Sequence, residues 1–266
     1  MKNKSTELVF IIDRSGSMSG LEDDTIGGFN AMLKEQQAVE GEAVVTTVLF
    51  DNRYELLHDR INIQAVAPLT REDYTVGGST ALLDAIGMTI HKIRKAQRAT
   101  QEEFRAEKVM FIIITDGYEN ASRRYTADMI KERIEHQKEK YGWEFIFFGA
   151  NMDAIAEAGK IGIAADRAQN YHADALGTQS AYAVMSAMST SFRTGGSLSH
   201  TQSKDAHPQA VRDAFLHLKE VMGGLKESAD EFIDLIGVAQ ANGGKIPDVN
   251  EILRQVLSES DKEDEK

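Results

Sequence analysis

The apolar positions of the chain fall into two kinds of run. Four runs are nearly continuous: "ELVFIID" (7–13), "EAVVTTVLFD" (42–51), "KVMFIIITD" (108–116) and "WEFIFFGA" (143–150). Unbroken stretches of β-branched and aromatic residues predict strands covered on both faces, as in a parallel sheet flanked by helices. Elsewhere the apolar residues recur every three or four positions, at Ile26, Phe29 and Leu33, at Ile86, Ile90 and Ile93, and more loosely at Ile130, Ile134 and Tyr141. Each set predicts a helix with one face on the sheet. The segment "YELLHDRINI" (54–63) follows the second strand after only "DNR", a hairpin-like break that predicts an antiparallel edge strand. A helix at about 152–160, a weak strand near "QNYHA" and a helix from about 174 to 192 complete the series. This order predicts an α/β fold: a doubly wound, mostly parallel open sheet with one antiparallel edge strand and helices on both faces.

The pattern changes after residue 192. "RTGGSLSHTQSKDAHPQ" (193–209) is rich in Gly, Ser and polar residues and reads as a linker. Residues 210–258 read as a helical extension, with one stripe at Phe215, Leu218, Met222 and Leu225 and another at Phe232, Ile236 and Ala239. A third short helix falls in "IPDVNEILRQVL", with Pro247 near its start. The acidic end, 259–266, reads as a disordered tail. The expected organisation is therefore an α/β domain over 1–192, a linker, a helical extension and a tail, with no internal repeat.

Composition narrows the function. The 266 residues are 42% apolar and 27% charged, as in a globular protein with one large core or a core plus an appendage. A formal net charge of −12 argues against non-specific binding to nucleic acid or an anionic membrane, both polyanions. No segment approaches the roughly 20 apolar residues of a membrane span. The apolar stretch near the start is too short for a signal peptide and ends in an acid. The absence of cysteine excludes disulfides, thiolate metal sites and cysteine nucleophiles, and a cytoplasmic location is expected. Oligomeric state is not legible.

Candidate chemistry lies at the strand ends. In a doubly wound sheet, ligands bind beyond the carboxyl ends of the strands, where successive connections diverge. Two predicted strands end there in aspartate, Asp13 and Asp116. Residues two apart share a side, so Asp13, Ser15 and Ser17 of "DRSGSM" can converge, with Gly16 permitting a tight turn. The loop "TVGGSTALLDAI" (75–86) adds Thr80 just before a helix, and Gly77 and Gly78 would let it approach closely. Two carboxylates and three hydroxyls, without histidine or thiol, suit a hard cation: Mg²⁺ or Mn²⁺ in six-fold geometry, or Ca²⁺ as the less favoured choice.

"DRSGSM", "GGSTALLDAI" and "ITDGYEN" resemble the three pieces of the metal-ion-dependent adhesion site of von Willebrand factor A (VWA) domains. The likeness extends through the strand and helix order of roughly residues 5–192, antiparallel strand included, and is to stand-alone intracellular bacterial members. It implies that Ser15, Ser17 and Thr80 supply hydroxyl ligands, with Asp13 and Asp116 binding the ion directly or through water. It also implies that a Glu or Asp of a partner protein fills the sixth position. So few carboxylates leave a divalent ion under-neutralised and attractive to an outside acid. The function expected is a metal-dependent protein-binding module, an adaptor or subunit of an intracellular complex, and not an enzyme.

Plainer readings stand beside these. Asp13, Ser15 and Ser17 fit a turn with a helix cap, Asp116-Gly117 a turn, and Thr80 a cap for the helix after it. Asp84 fits solvated helix surface or a residue supporting the ligands. Asn151 and Asp153 fit a helix cap or a rim around the site. The histidines show no ligand spacing, and the methionines near 185–188 and 215–225 fit packing surfaces. A Mg²⁺-dependent phosphohydrolase would need a second acid two residues after Asp13, where Ser15 stands. No G-x-S-x-G, G-x-x-x-x-G-K-[ST] or G-x-G-x-x-G loop is framed correctly. A metal-free structural scaffold is the remaining alternative.

Overall fold

A computed structural model describes residues 5–196 and residue 198. Its strands are β1 (Thr6–Asp13), β2 (Ala43–Phe50), β3 (Tyr54–Asn62), β4 (Lys108–Thr115), β5 (Glu144–Ala150) and β6 (Ala168–Tyr171). Its α-helices are α1 (Glu22–Ala38), α2 (Leu82–Ala99), α3 (Ala127–Tyr141), α4 (Ala154–Lys160) and α5 (Ala175–Thr194). The strands form one sheet in the order β3-β2-β1-β4-β5-β6. All neighbours are parallel except β2 and β3. The expected α/β architecture, with its antiparallel edge strand and helices on both faces, is therefore the one observed.

The unbroken apolar runs are explained by two cores, one on each face. Leu8, Phe10 and Ile12 of β1, with Met110, Ile112 and Ile114 of β4, pack under α1 and α5. The alternate residues, Val9, Ile11, Phe111 and Ile113, pack under α2, α3 and α4. Side chains alternate across a strand, so a strand buried on both faces has no position left for a polar pattern. Each large side chain fully buried this way contributes about 1.5–3 kcal/mol.

Two details depart from the expected pattern. In α3, Ile130 and Ile134 are buried but Tyr141 is 47% exposed, and Gln137 (2%) takes the third inward position. Tyr141 ends the helix, the chain turns through Gly142 at φ 65°, and Trp143 enters the core to stack on Phe111 at 5.5 Å. In β3, the pairing with β2 is irregular opposite Thr46, where Arg60 adopts φ 52°. There the Arg60 Nε donates to Glu7 Oε1 at 2.8 Å, neutralising a carboxylate wholly inside the sheet.

Helix α5 continues to Thr194 and closes on Gly195 at φ 85°. Gly196 and Leu198 of the predicted linker are also described, and Leu198 is buried in the core on the α5 face. Residue 197 and residues 199–266, with the rest of the predicted linker, the helical extension and its stripes, and the tail, lie outside the described residues. No described helix is long and apolar enough to cross a membrane.

The sheet order creates the site. From β1 the chain passes to α1 on one face, and from β4 to α3 on the other. These adjacent strands are where the connections part, leaving a crevice at their carboxyl ends. Asp13 ends β1, and Asp116 directly follows β4.

Candidate metal centre

The first loop is shaped by Asp13 itself. Its Oδ1 accepts from the Ser15 N–H at 2.7 Å, an Asp-initiated turn that lifts the chain off the strand. A short 3₁₀ turn, Gly16–Met18, follows, and Met18 is wholly buried beneath it. That anchor holds Ser15 and Ser17 over the crevice. Ser15 precedes the turn, but its side chain caps nothing.

The second loop, between β3 and α2, is irregular and held by contacts with distant residues. Asn30 of α1 grips its middle, donating to Leu69 O at 2.9 Å and accepting from Leu69 N at 2.7 Å. Tyr74 donates its hydroxyl to Asp13 O at 2.5 Å, and Gly77 N donates to Arg14 O at 2.9 Å. Gly78 is the glycine this loop requires: φ is 76°, and a Cβ would stand 2.2 Å from Asn52 Oδ1. Gly16 and Gly77 have negative φ and room for a Cβ, so the turn does not depend on them in the way the sequence predicts.

The third loop, after β4, closes over the start of α2. Asn120 Oδ1 accepts from Thr80 N at 3.0 Å. Glu119 Oε2 accepts from Leu83 N at 2.9 Å, and Ser122 Oγ accepts from Asp84 N at 2.9 Å. Glu119 and Ser122 thus satisfy two of the free N–H groups in the first turn of α2, and Glu119 adds a favourable charge there. Thr80 therefore does not cap α2. Asp84 reaches back, accepting from the N–H groups of Arg123, Arg124 and Tyr125 at 3.0, 2.9 and 3.0 Å. It is neither free surface nor a candidate ligand, but the tether of this loop. Asp84→Ala should lower the unfolding free energy by about 1–3 kcal/mol in chemical denaturation, and Asp84→Asn by less. Asp153 caps α4 by accepting from Ala156 N at 3.0 Å, and Asn151 is exposed at φ 55°.

Four of the five candidate side chains meet directly. Thr80 Oγ1 lies 3.0 Å from Ser15 Oγ, Ser15 Oγ 3.1 Å from Ser17 Oγ, and Ser17 Oγ donates to Asp116 Oδ1 at 2.5 Å. Asp13 stands behind them, wholly buried, with its other oxygen held by the Thr115 hydroxyl. Burial raises the Asp13 carboxyl from its usual 3.8 to about 6, and burial raises Asp116 too. Thr115 and Asn120 were not singled out by sequence pattern. Thr115 looks like one more strand residue, and Asn120 like an ordinary turn residue.

The residues fit a divalent cation on three observations. Asp116 Oδ2 is buried with no hydrogen-bond partner, a costly state for a carboxylate oxygen. A Cβ at Gly117 would lie 3.0 Å from Ser17 Oγ and 3.1 Å from Thr80 Oγ1, so the missing side chain leaves a cradle beside the hydroxyls. The hydroxyl spacings of 3.0 and 3.1 Å suit hydrogen bonds. They equally suit adjacent corners of an octahedron with metal–oxygen bonds of about 2.1 Å, whose edge is about 3.0 Å. Larger Ca²⁺ bond lengths would require the oxygens to spread. Among the described residues there is no group of three or more His, Cys, Asp or Glu side chains placed to hold an ion, so hydroxyls would supply most of the donors here.

No protein-family model and no curated protein matches the sequence. Solved structures do. A von Willebrand factor type A protein from Catenulispora acidiphila matches with a TM-score of 0.50 at 16% identity, over 70% of this chain and 43% of its own. The PilB minor pilin from Streptococcus sanguinis (D319A mutant) gives 0.48 at 13%, over 73% and 64%. The manganese-loaded TRAP protein of Plasmodium vivax gives 0.41 at 18%, over 56% and 58%. This chain spans less than two thirds of each of these structures. At 16% identity the likeness to the Catenulispora protein is one of fold alone, the VWA fold.

Proposed function

We propose that the cradle formed by Ser15, Ser17, Thr80 and Asp116 holds Mg²⁺ or Mn²⁺, and that the domain binds a protein partner through an acidic residue there. The orphaned, buried Asp116 Oδ2 beside three converging hydroxyls carries this reading. Ser15, Ser17 and Thr80 would offer neutral oxygens and Asp116 a charged one, with Asp13 acting through water. A bound ion would supply an electrophilic anchor for an external carboxylate. The chain's own part is to hold the hydroxyls together and to leave the ion's charge only partly compensated. A non-enzymatic role belongs to the same proposal, because no general acid stands where Ser15 does.

Thermal unfolding of the full chain tests the metal. Ion at about 100 times its dissociation constant should add about 2.7 kcal/mol. For a unit of this size that is a rise of about 5–10 °C with Mg²⁺ or Mn²⁺ over EDTA. Absence of a rise with either ion would remove the metal reading and leave a scaffold. Asp13→Asn sharpens the test. Its amide can accept from Ser15 N and donate to Thr115 Oγ1, so the fold should persist while the metal response is lost.

In EDTA the variant should differ in sign. The Asp13 carboxyl is raised from 3.8 to about 6, so the native state holds this proton more tightly than the unfolded chain. The associated stability is complete below about pH 4 and lost as pH rises through 6. Asp13→Asn should therefore exceed the wild type in metal-free stability at pH 8, by up to about 3 kcal/mol. Equal stabilities across this range would contradict the burial-raised pKa of the acid.

A further inference from the structure

Beside the cradle, between α2, α3, α4 and the end of β5, lies an open cleft of about 280 Å³. Leu82, Leu83, Ala127, Phe147, Met152 and Ile161 supply its apolar lining. Its polar side chains are already engaged within the protein. Glu119 accepts from the backbone of Leu83, Ala121 and Ser122, and Glu157 pairs with Lys160 at 2.6 Å. What remains for an incoming group is apolar surface, edged by Tyr118, which is 54% exposed.

Gly117 belongs to both places. It lines the cleft, and its absent side chain is the space next to Ser17 Oγ and Thr80 Oγ1. One residue's backbone thus separates the ion's position from the apolar cleft. We infer that the partner is a protein segment carrying a Glu or Asp with a bulky apolar residue, Leu, Ile, Met or Phe, one or two positions away. The acid would meet the ion at the cradle, and the apolar side chain would enter the cleft. This rests on the metal reading above and adds the chemistry of the partner to it.

Three features select this occupant. An ion bound directly by one carboxylate, Asp116, and by the neutral hydroxyls of Ser15, Ser17 and Thr80 would keep part of its positive charge at its open side, which calls for an anionic oxygen from outside. The cleft is smaller than the roughly 300–1,000 Å³ of sites that enclose a whole small ligand, and is of a size for one large side chain. Consecutive residues of an extended segment are about 3.8 Å apart between Cα atoms, the span of the single residue dividing cradle from cleft. An acid alone would leave the apolar cleft and Tyr118 uncovered. An apolar residue alone would leave the ion unneutralised.

A display library of random short peptides, selected on the full chain in Mg²⁺ and eluted with EDTA, tests this. Enrichment of an acid with a bulky apolar residue at a fixed spacing of one or two is the expected result. A selected peptide should lose about tenfold or more in affinity when its apolar residue becomes Ala. It should lose a similar factor on Ala127→Phe, which fills the cleft, and on Tyr118→Ala, which strips its exposed edge and leaves the core alone. Both variants should keep the Mg²⁺-dependent rise in unfolding temperature. Enrichment of acids without an apolar neighbour, or peptides indifferent to both variants, would overturn the inference and leave the metal reading standing. A metal-dependent rise with no peptide enriched would do the same. Absence of both the rise and EDTA-elutable peptides would remove the metal reading and this inference with it.

Discussion

Gly117→Ala should abolish the metal-dependent rise in unfolding temperature while leaving the metal-free domain folded. The added Cβ would sit 3.0 Å from Ser17 Oγ and 3.1 Å from Thr80 Oγ1, in the space that an ion coordinated by these hydroxyls needs. Gly117 has no positive φ, so alanine there brings no backbone strain. Its cost to the empty domain is a small shift of two hydroxyls. Its cost to the loaded domain is the whole linkage term, about 2.7 kcal/mol at 100-fold saturation. Calorimetric titration with Mn²⁺ would read the loss directly. A variant that still binds the ion with wild-type affinity would mean the ion lies elsewhere, and would sink the cradle assignment even if some metal stabilises the protein.

The second large effect concerns two adjacent glycines of α1, which should respond in opposite directions to the same substitution. Gly28 faces α5, where a Cβ would meet the Tyr182 ring at 2.4 Å. Tyr182 is almost wholly buried, so the ring has nowhere to go without displacing its neighbours. Gly28→Ala should therefore destabilise by about 1–3 kcal/mol, net of the helix propensity gained. Gly27 is exposed, with nothing within 4 Å of its would-be Cβ. Gly27→Ala should stabilise by up to about 1 kcal/mol, as for an open helical position. Denaturant unfolding of the pair measures both signs in one experiment. Equal effects would show that α1 and α5 are not packed as closely as this contact requires.

The α1–α5 contact also shows why polar residues lie inside the domain. Gln36 of α1 donates to Ser186 O at 2.9 Å and to Thr190 Oγ1 at 2.8 Å. Arg193 donates to Val39 O and Gly41 O at 3.0 Å, joining the end of α5 to the loop after α1. These bonds run between residues about 150 apart in the chain and position α5 along α1, as the absence of a side chain at Gly28 sets how near the two helices come. A hydrophobic stripe alone would not define either.

Much of this protein can be read from its residues in order. Period-two burial on both faces leaves unbroken apolar runs, so β1, β2, β4 and β5 are legible to within a residue or two. The short "DNR" break forces β3 to return antiparallel. Asp13, Ser15 and Ser17 are near neighbours, so their convergence needs only a turn and can be seen locally. Thr80 and Asp116 are legible as hydroxyl and acid at loop and strand ends, because a sheet of this class gathers such ends on one edge.

What the sequence could not show is which distant group answers which. The α2 N-terminus is satisfied not by the adjacent Thr80 but by Glu119 and Ser122, 36 and 38 residues away from the groups they bind. Asp84 looks like helix surface until the loop after β4 folds onto it. Gly117 looks like a turn glycine, yet what it provides is space beside hydroxyls on two other loops. Local pattern fixes where each strand and turn begins, because those follow from the backbone and its immediate neighbours. Only the strand order that sets β1 beside β4, and so brings three loops separated in the chain onto one edge, decides which side chains meet there, which groups they satisfy, and where a cavity is left.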